Sequence, residues 1–486
     1  MEFTHTIHHL KLLADGETPL TVYSKLAQGS YSFLFESVEG GERWGRYSII
    51  GMPASRIIKV YSHEWQEWQG QKLVSTSQIN DPLEKIQNLM DSYRVDTHLL
   101  SRFAGGWVGY FGYEIIELIE TKLAWAEKQN PKPNPLQVPD IILFECLNFI
   151  VFDNLDHSIE LITLEPNSNS LQENTKKADQ RLQQWVEKLK NTSANLSTFI
   201  LNEPPQVASE FSSNTSQAEY EAMVNKIKEY TLAGDVMQVV PSQRLSIPFS
   251  HSPVSLYRML RLLNPSPYLF FVDLAEFHIV GSSPEILVRF ETGKITVRPL
   301  AGTRPRGKDA EADLAYEIDL LADPKEVAEH LMLIDLGRND VGRLARAGSV
   351  RVTEHMMVER YSHVMHIVSN VEADALPNMR AIDVLKATFP AGTLSGAPKI
   401  RAMEIIHELE KEKRGIYGGA VGYLSFNGSM DTAIAIRTAV IKNKTLYIQA
   451  GAGVVADSDP TAEWQETINK SMALLKAAAW VEQVEK

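Results

Sequence analysis

Three things are scarce in this sequence: basic charge, cysteine and long apolar runs. Its 486 residues carry 61 acidic side chains against 48 Lys and Arg, for a net charge of −13. That balance argues against nucleic acid as a partner, because no basic surplus exists to release counterions from a phosphate backbone. The single cysteine, Cys146, cannot form an internal disulfide and lies in an apolar run, which fits a reducing compartment. The apolar stretches are too short or too interrupted to span a bilayer, and no signal-peptide pattern is seen, so we expect a cytoplasmic protein without a membrane partner.

What is present indicates an ordinary globular protein. The sequence is 44% hydrophobic and 22% charged, neither disordered nor fibrous. Its length is compatible with about three domains, or with one large unit carrying an additional lobe.

The coarse pattern of secondary structure changes near residue 205. Before it, residues 18–160 are mostly strand-like, with candidate strands at 21–23, 32–35 and 46–51. Residues 165–216 are rich in Asn, Ser, Thr, Gln and Pro, as is typical of a boundary, apart from one amphipathic helix around 175–190. We therefore predict two lobes, residues 1–204 and 205–486.

The second half alternates strands with helices. A capping box at Ser216-Gln-Ala-Glu219 predicts a helix start, and further helices should begin at Pro324 and Pro398. Turns such as Asn427-Gly428 join neighbouring strands directly, which favours antiparallel pairing. The predicted fold class is α+β: a large lobe of packed mixed or antiparallel sheets with helices, and a β-rich N-terminal lobe.

One short pattern occurs twice, Asp-Pro followed by two glutamates three residues apart. The two copies are Asp323-Pro-Lys-Glu-Val-Ala-Glu329 and Asp459-Pro-Thr-Ala-Glu-Trp-Gln-Glu466. Asp can cap a helix and Pro fits its first position, so each copy predicts a helix start with both carboxylates on one face. Either pair alone is typical of a solvated helix face. If the two starts face each other, however, their oxygens would suit a hard cation such as Mg²⁺.

Arg437 lies within the apolar run Thr432–Ile441, which predicts a buried strand. An unpaired guanidinium would be very unfavourable there, so this side chain requires an anion. The anion could be a carboxylate of the protein in a salt bridge, or a substrate carboxylate held bidentately.

Three glycine-bearing segments could bring backbone N–H groups close to an anionic or hydroxylated ligand: Leu300–Arg304, Ala391–Lys399 and Ala450–Gly453. Each is equally compatible with an ordinary tight turn. Glu285 could donate a proton if its surroundings raise its pKa, and His366 could donate or orient a hydrogen bond. An exposed glutamate and a core histidine are the simpler interpretations of these two residues.

Taken together, these segments resemble the signature of the chorismate-utilising enzymes over about residues 215–475. The matching segments are Pro299–Gly307, Glu329–Asp340, Thr393–Lys399, Ala435–Thr438 and Gly451–Pro460. The first lobe extends the likeness to the anthranilate synthase component I branch. Its Phe33-Leu-Phe-Glu-Ser37 is similar to the Leu-Leu-Glu-Ser element of that branch's tryptophan site, with Phe35 in place of a leucine.

The resemblance implies a site for chorismate and Mg²⁺ in the second lobe. It implies that Glu329 and Glu466 ligate the metal, with Glu326 and Glu463 nearby through water. The implied substrate-binding residues are Gly302, Thr303, Thr393, Tyr417, Arg437, Gly451, Gly453 and Lys470, and the implied catalytic residues are Glu285, His366 and Gln238. Ammonia would add at ring C2 while Glu285 protonates the leaving C4 hydroxyl, and His366 would assist the later loss of the C2 proton and pyruvate.

Two positions distinguish this chain from relatives with other chemistry. Isochorismate and salicylate synthases carry lysine where Gln238 stands, and that lysine can activate water, whereas ammonia needs no such base. Aminodeoxychorismate synthases commonly have a lysine at the position of Ala301 that can form a covalent adduct with the ring. Both departures favour anthranilate synthase. Aminodeoxychorismate synthase and a non-catalytic amino-acid sensor of the same fold remain as alternatives.

The resemblance also implies partners and regulation. Cys146 is not a plausible glutaminase nucleophile, so ammonia should come from a separate amidotransferase subunit in a hetero-oligomer, a heterotetramer in the family. The first lobe should be regulatory and contact this partner. L-tryptophan should inhibit by binding between the lobes, and plain packing between the lobes is the alternative interpretation. The implied residues are Glu36, Ser37, Asn264, Pro265, Pro267, Tyr268 and Phe270.

Overall fold

The computed structural model describes residues 3–37, 45–97, 103–167, 171–200, 211–361 and 364–485. The predicted lobe boundary at 204/205 lies outside these residues. The described strands are β1 (His5–Leu13), β2 (Ser32–Glu36), β3 (Tyr47–Gly51), β4 (Arg56–Tyr61), β5 (Glu64–Gln69), β6 (Lys72–Gln78), β7 (Gly106–Phe111), β8 (Ile141–Cys146), β9 (Asn148–Asp153), β10 (Ser158–Pro166), β11 (Ser212–Ser213), β12 (Gln238–Val239), β13 (Ser242–Pro248), β14 (Tyr268–Asp273), β15 (Phe277–Ser283), β16 (Ile286–Glu291), β17 (Lys294–Val297), β18 (Leu300–Pro305), β19 (Arg351–Arg360), β20 (Val364–Asp374), β21 (Gly396–Ala397), β22 (Ala420–Ser425), β23 (Met430–Ile434), β24 (Thr438–Lys442) and β25 (Thr445–Gly451).

The described α-helices are α1 (Pro19–Val22), α2 (Pro82–Asp91), α3 (Thr121–Gln129), α4 (Leu171–Asn191), α5 (Gln217–Leu232), α6 (Pro253–Leu263), α7 (Ala310–Ala322), α8 (Pro324–Gly342), α9 (Ala381–Thr388), α10 (Gly392–Ser395), α11 (Lys399–Leu409) and α12 (Pro460–Val484). A π-helical turn, Tyr23–Ala27, follows α1, and a 3₁₀ helix spans Tyr113–Leu118. Among the described helices, none is both long enough and apolar enough to cross a membrane.

Two large antiparallel sheets contain nearly all of these strands. The first has the order β1-β10-β9-β3-β2-β14-β15-β24-β25-β13-β11, and the second has the order β18-β20-β17-β16-β23-β22-β7-β8-β4-β5-β6, with β19 also pairing with β20. Strands from before and after residue 205 meet in both sheets, at β2–β14 in the first and at β7–β22 in the second. The α+β fold with large antiparallel sheets is therefore confirmed, and strands of both halves of the chain complete each sheet.

The main hydrophobic core lies between the two sheets, because its buried residues come from both of them. Phe33 of β2 points into this core, whereas the next residue, Leu34, packs into a second core on the other face of the first sheet. This is the period-two alternation expected of a strand with both faces covered. The second core is covered by α6 and α12.

Most of the predicted elements are present, and the exceptions have local causes. The capping box at Ser216 and the helix starts at Pro324 and next to Pro398 are confirmed. The predicted strand at 21–23 is wrong. Thr18 caps this segment by accepting a hydrogen bond from the Thr21 backbone N–H, and Pro19 occupies the first position, so the chain begins a helix.

The single strand predicted across Thr432–Ile441 is also wrong. The run is divided into β23, which belongs to the second sheet, and β24, which belongs to the first. Arg437 stands in the crossing between them with a backbone φ of +48°. The same passage between sheets occurs from β15 to β16, and Glu285 stands in that crossing. These two crossings position the candidate site.

Candidate active site

The two sheet crossings are hydrogen-bonded to each other. The backbone N–H of Ile434 donates to the Glu285 carbonyl at 3.0 Å, and that of Ser282 donates to the Arg437 carbonyl at 3.1 Å. A non-glycine residue at positive φ is uncommon and is retained where the surroundings fix it, as these backbone contacts do at Arg437. A buried carboxyl and a guanidinium are thereby held on adjacent connections between the same two sheets.

Glu285 is buried, with 5% of its surface exposed. Its carboxyl oxygens lie 3.1 and 3.2 Å from the Thr393 hydroxyl, which donates to them. Burial raises the pKa of Glu285 to about 8, while the Thr393 hydrogen bond and nearby Lys470 act in the opposite direction. The carboxyl is therefore largely protonated at neutral pH and has a proton to donate.

Arg437 is partly buried, and its guanidinium has no hydrogen bond or ion pair with any described residue. Burial lowers its pKa, and the charge of Glu466 and the Tyr417 phenol oppose this effect. The first alternative from the sequence, a salt bridge between Arg437 and a carboxylate of the protein, is therefore not formed in the described part of the chain. A desolvated, unpaired guanidinium beside a tyrosine is suited to an external carboxylate.

His366 is buried on β20 opposite Thr303 of β18. Its Nδ1 lies 3.0 Å from both the Gly302 carbonyl and the Thr303 hydroxyl. Because a carbonyl can only accept, this contact places the ring proton on Nδ1 and leaves Nε2 with a free lone pair. Burial lowers the pKa of His366 to about 4, so the imidazole is neutral at physiological pH.

Gln238 connects this centre to the first carboxylate pair. Its Nε2 donates to Glu329 Oε1 at 3.0 Å, and its buried Oε1 has no hydrogen-bond partner among the described groups. A side chain at Gly453 could not be accommodated, because a Cβ there would lie 2.2 Å from Gln238 Nε2. Glycine is therefore required at 453 for this close approach.

Both Asp-Pro-Glu patterns begin helices, as predicted. Asp323 accepts from the backbone N–H of Lys325 at 3.0 Å, and Asp459 accepts from that of Ala462 at 2.8 Å. The two beginnings approach each other, since Lys325 Nζ lies 3.8 Å from Asp457 Oδ1, two residues before the second cap.

The segment from Gly451 to Gly453 lies between the two carboxylate pairs. On one side, Gly453 approaches Gln238 and Glu329. On the other, Lys470 donates to the Gly451 carbonyl at 2.9 Å and pairs with Glu466 at 2.6 Å. The Tyr417 hydroxyl packs closely against Gly451, because a Cβ at that glycine would lie 2.9 Å from it.

In each pair, the pKa of one glutamate is raised by its surroundings. Burial raises the pKa of Glu326, and the charge of Glu329 raises it further. Burial also raises the pKa of Glu463, with Glu466 adding to the effect. Within the described ranges, no three His, Cys, Asp or Glu side chains already form a cluster that could hold a metal.

Two arginines near the site were not singled out by sequence reasoning. Arg304 pairs with Asp323 at 2.8 Å and Glu326 at 3.3 Å, so it links a helix cap to a candidate metal ligand. Arg414 is fully buried behind Tyr417. Its position just before the glycine-rich Gly415-Ile-Tyr-Gly-Gly419, four residues after Glu410, is the pattern that could have indicated it.

Five of the seven residues implied for tryptophan line a different cavity, which lies between the two sheets. It has a volume of about 280 Å³, near the lower end for ligand pockets. Phe35 and Phe270 are directly paired across β2 and β14. The implied residues that line the cavity are Glu36, Ser37, Pro267, Tyr268 and Phe270. Asn264 is outside the lining and donates to Ser282 at 3.0 Å, and Pro265 is also outside it.

Comparison with known proteins gives consistent results. The family described as chorismate binding enzyme matches residues 33–476. Anthranilate synthase component 1 of Pseudomonas putida is 52% identical over 473 residues, 97% of this chain and 94% of that relative. The crystal structure of anthranilate synthase component I from Streptococcus pneumoniae has a TM-score of 0.77 and 36% identity, covering 96% of this chain and 99% of that one. The menaquinone-specific isochorismate synthase of Escherichia coli shares the fold, with a TM-score of 0.72 at 18% identity over 98% of this chain and 96% of that one.

Proposed function

Because this chain belongs to the family of chorismate binding enzymes, we propose that its site converts chorismate and ammonia into anthranilate and pyruvate. Its function is that of the anthranilate synthase component 1 proteins that match it at 52–53% identity over 97% of its length. One observation carries the assignment of the site: a protonated, buried Glu285 and an unpaired Arg437 stand on adjacent, hydrogen-bonded crossings.

Substrate binding would use the unpaired guanidinium of Arg437. Arg437 and the Tyr417 hydroxyl would hold the enolpyruvyl carboxylate of chorismate, since no described carboxylate engages that guanidinium. Gly302, Thr303, Thr393 and Gly453 would line the ring. Lys470 donates a hydrogen bond to the Gly451 carbonyl, so both residues lie in the same part of the site. Lys470 would contribute positive charge there.

In the first chemical step, ammonia forms a bond to ring C2, the ring double bonds shift, and the C4 hydroxyl leaves. Glu285 donates the proton that converts this hydroxyl into water, which its raised pKa makes possible at neutral pH. In the second step, C2 loses its proton and the enolpyruvyl group leaves, with a proton, as pyruvate. The free Nε2 of His366 is the proposed aid to this step.

Gln238 supports amination rather than addition of water. Its Nε2 is engaged by Glu329, so the unpartnered Oε1 is left to accept a hydrogen bond from ammonia. An amide has no basic lone pair at neutral pH and therefore cannot activate water as lysine can.

Mg²⁺ is the proposed cofactor, held by Glu329 and Glu466 with Glu326 and Glu463 nearby. The donor set fits, because Mg²⁺ usually takes one or two protein carboxylates and completes its shell with water and substrate. Burial raises the pKa values of Glu326 and Glu463, and the neighbouring carboxylate of each pair adds to the effect. A cation would favour their ionised forms. When bound, the ion would supply positive charge for the ring carboxylate.

A separate amidotransferase subunit is the proposed ammonia source, within a hetero-oligomer. The single cysteine, Cys146, is buried, and burial raises its pKa well above the ordinary thiol range, so it is not an activated nucleophile. A free buried thiol is also compatible with a reducing compartment, and we propose the cytoplasm.

L-tryptophan is the proposed inhibitor, bound in the cavity between the two sheets that β2 and β14 help to line. The cavity combines aromatic walls, Phe35 and Phe270, with charged groups such as Asp431 and Arg289, which pair at 2.8 Å. An amphipathic aromatic amino acid matches that lining.

The proposed reaction is tested with the purified chain, chorismate, Mg²⁺ and ammonium in place of glutamine. Anthranilate fluorescence and stoichiometric pyruvate are expected. Formation of 4-amino-4-deoxychorismate would instead show the alternative aminating activity, and absence of pyruvate would favour a non-catalytic sensor. Glu329→Ala and Glu466→Ala should abolish turnover in folded protein, and full activity in either would remove the metal assignment.

A further inference from the structure

Arg414 is a fully buried cation that the proposed reaction does not use, and it lies directly behind the site. Its Nη1 donates to the Leu394 carbonyl at 2.8 Å, and its Nη2 donates to the Val240 carbonyl at 2.7 Å. The same guanidinium pairs with the Glu410 carboxylate through contacts of 2.9 and 2.6 Å. A buried guanidinium is tolerated when its donors are satisfied, and these bonds fix it in one orientation.

Both carbonyls belong to segments that carry groups of the proposed site. Leu394 follows Thr393, whose hydroxyl bonds to Glu285. Val240 lies two residues after Gln238, whose amide bonds to Glu329. The guanidinium therefore joins the Thr393 segment, which contacts the proton donor Glu285, to the Gln238 segment, where ammonia is proposed to bind.

Arg414 is itself anchored on its other sides. Its backbone N–H donates to one oxygen of the Glu114 carboxyl group at 2.7 Å, and that of Gly415 donates to the other oxygen at 3.0 Å. The guanidinium carbon lies 4.6 Å from the ring centroid of Tyr113 and 5.6 Å from that of Tyr417. A rigidly held cation of this kind can fix the spacing of the two segments that it bridges.

We propose that Arg414 is a positioning residue that sets the Thr393 segment against Glu285 and the Gln238 segment against Glu329. This inference rests on the proposed function, because it assigns Arg414 a task in that reaction. It differs from a purely structural role in one respect: changing Arg414 should alter the chemical step through Thr393, and not only the stability of the fold.

The test is Arg414→Lys, assayed for anthranilate formation with ammonium. Lysine lacks the planar fork and cannot bond to two carbonyls and a carboxylate in the same geometry. We expect kcat to fall by about 10- to 100-fold, as misplacement of catalytic groups by about 1 Å can do. The KM for chorismate should change less than about threefold, because no described hydrogen bond joins the Arg414 guanidinium to Arg437 or to the Tyr417 hydroxyl.

A double-mutant cycle with Thr393→Val distinguishes positioning from general damage. If Arg414 acts through Thr393, Arg414→Lys should lower kcat much less in the Thr393→Val background than in wild type. Both single variants should also shift the alkaline decline of kcat to higher pH, because each removes the Thr393 hydrogen bond that favours ionised Glu285. Burial, the backbone hydrogen bond at Leu300 and the charge of Lys470 are then the remaining influences on its pKa.

The matched control is Arg380→Lys, which changes another arginine held by carboxylates, Glu84 and Asp383, neither of which belongs to the proposed site. It should reduce thermal stability without changing kcat per folded molecule. If Arg414→Lys does not fold, Glu410→Gln, which leaves the guanidinium with a neutral partner, should show the same coupling to Thr393 more weakly. Additive effects in the cycle, or a kcat loss no larger than in the control, would overturn the inference. An inactive wild type would instead overturn the proposed function.

Discussion

At the scale of single residues, the reactive character of the site comes from two groups whose ordinary charges are disturbed. Burial keeps Glu285 protonated, and Arg437 remains without a protein anion in the described part of the chain. A buried carboxyl group and an unpaired guanidinium are both unfavourable for the stability of the fold. In the proposed reaction, Glu285 protonates the leaving hydroxyl of the substrate and Arg437 binds its carboxylate.

Glu285→Gln should reduce kcat by about 100-fold or more, because glutamine cannot donate the proton needed by the leaving hydroxyl. In the wild type, kcat should be highest below pH 8 and decline as pH rises through about 8, since the donor form of Glu285 is then lost. Steady-state kinetics from pH 6 to 9 measure both effects. A glutamine variant with wild-type kcat would exclude Glu285 as the acid.

Arg437→Lys should raise the KM for chorismate by about tenfold or more, since losing a hydrogen bond to a charged group costs about 1.5–3 kcal/mol. The effect on kcat should be smaller, because Glu285 remains in place. Arg338→Lys, which changes an exposed arginine paired with Asp335, is the control and should behave as wild type. Equal KM values in the two variants would contradict the carboxylate clamp.

At the scale of elements, two helix beginnings have a structural task and, in the proposed function, a chemical one as well. Asp323 and Asp459 satisfy backbone N–H groups at the starts of α8 and α12, and these starts carry the four glutamates of the proposed metal site. Capping fixes where the first turn begins, and hence where its carboxylates point.

Asp459→Ala should lower the free energy of unfolding by about 1 kcal/mol and also weaken Mg²⁺ binding, measured by calorimetry. Asp309→Ala is the matched control, because Asp309 caps α7 in the same way, accepting from Ala312 at 2.9 Å. It should cost similar stability but leave Mg²⁺ affinity unchanged. Equal Mg²⁺ affinities in the two variants would show that the α12 start is not part of a metal site.

At the scale of the whole molecule, the two halves of the chain share both sheets, so a ligand in the cavity lined by β2 and β14 contacts residues of both halves. Added tryptophan should therefore lower chorismate turnover, and Ser37→Ala or Phe270→Ala should weaken that inhibition with smaller effects on kcat. We propose that Ser282 couples the cavity to the site, since it accepts a hydrogen bond from Asn264 and its backbone N–H donates to the Arg437 carbonyl. Turnover that is unchanged throughout a tryptophan titration would exclude feedback at this cavity.

Buried titratable groups should also shape stability against pH. Burial raises the pKa of Glu114 and Glu285 to about 8 and that of Glu117 to about 7, so the folded state holds protons that the unfolded state releases above pH 4.5. Their contribution is therefore lost as pH rises towards 8. His330 and His366, with pKa values lowered to about 4, act oppositely, and their contribution is complete above pH 6.5.

The free energy of unfolding should consequently fall between pH 6.5 and 8.5, where only the carboxyl effect remains. Urea denaturation at the two pH values measures the fall. Glu285→Gln should reduce it, because one of the proton-binding groups is replaced by a neutral amide. A fall of the same size in that variant would mean that Glu285 does not titrate in this range.

The sequence by itself determined the helix beginnings, the α+β class and the family, because caps, prolines and ordered motifs act through neighbours along the chain. Asp323 and Asp459 cap their helices as local chemistry requires. The tertiary structure alone decided that Thr432–Ile441 is divided between two sheets, that Arg437 has no protein anion among the described residues, and that Arg414 bridges Val240 and Leu394. These features depend on which distant segments come into contact. The apolar pattern of a run such as Thr432–Ile441 is the same whether the chain continues as one strand or crosses from one sheet to another.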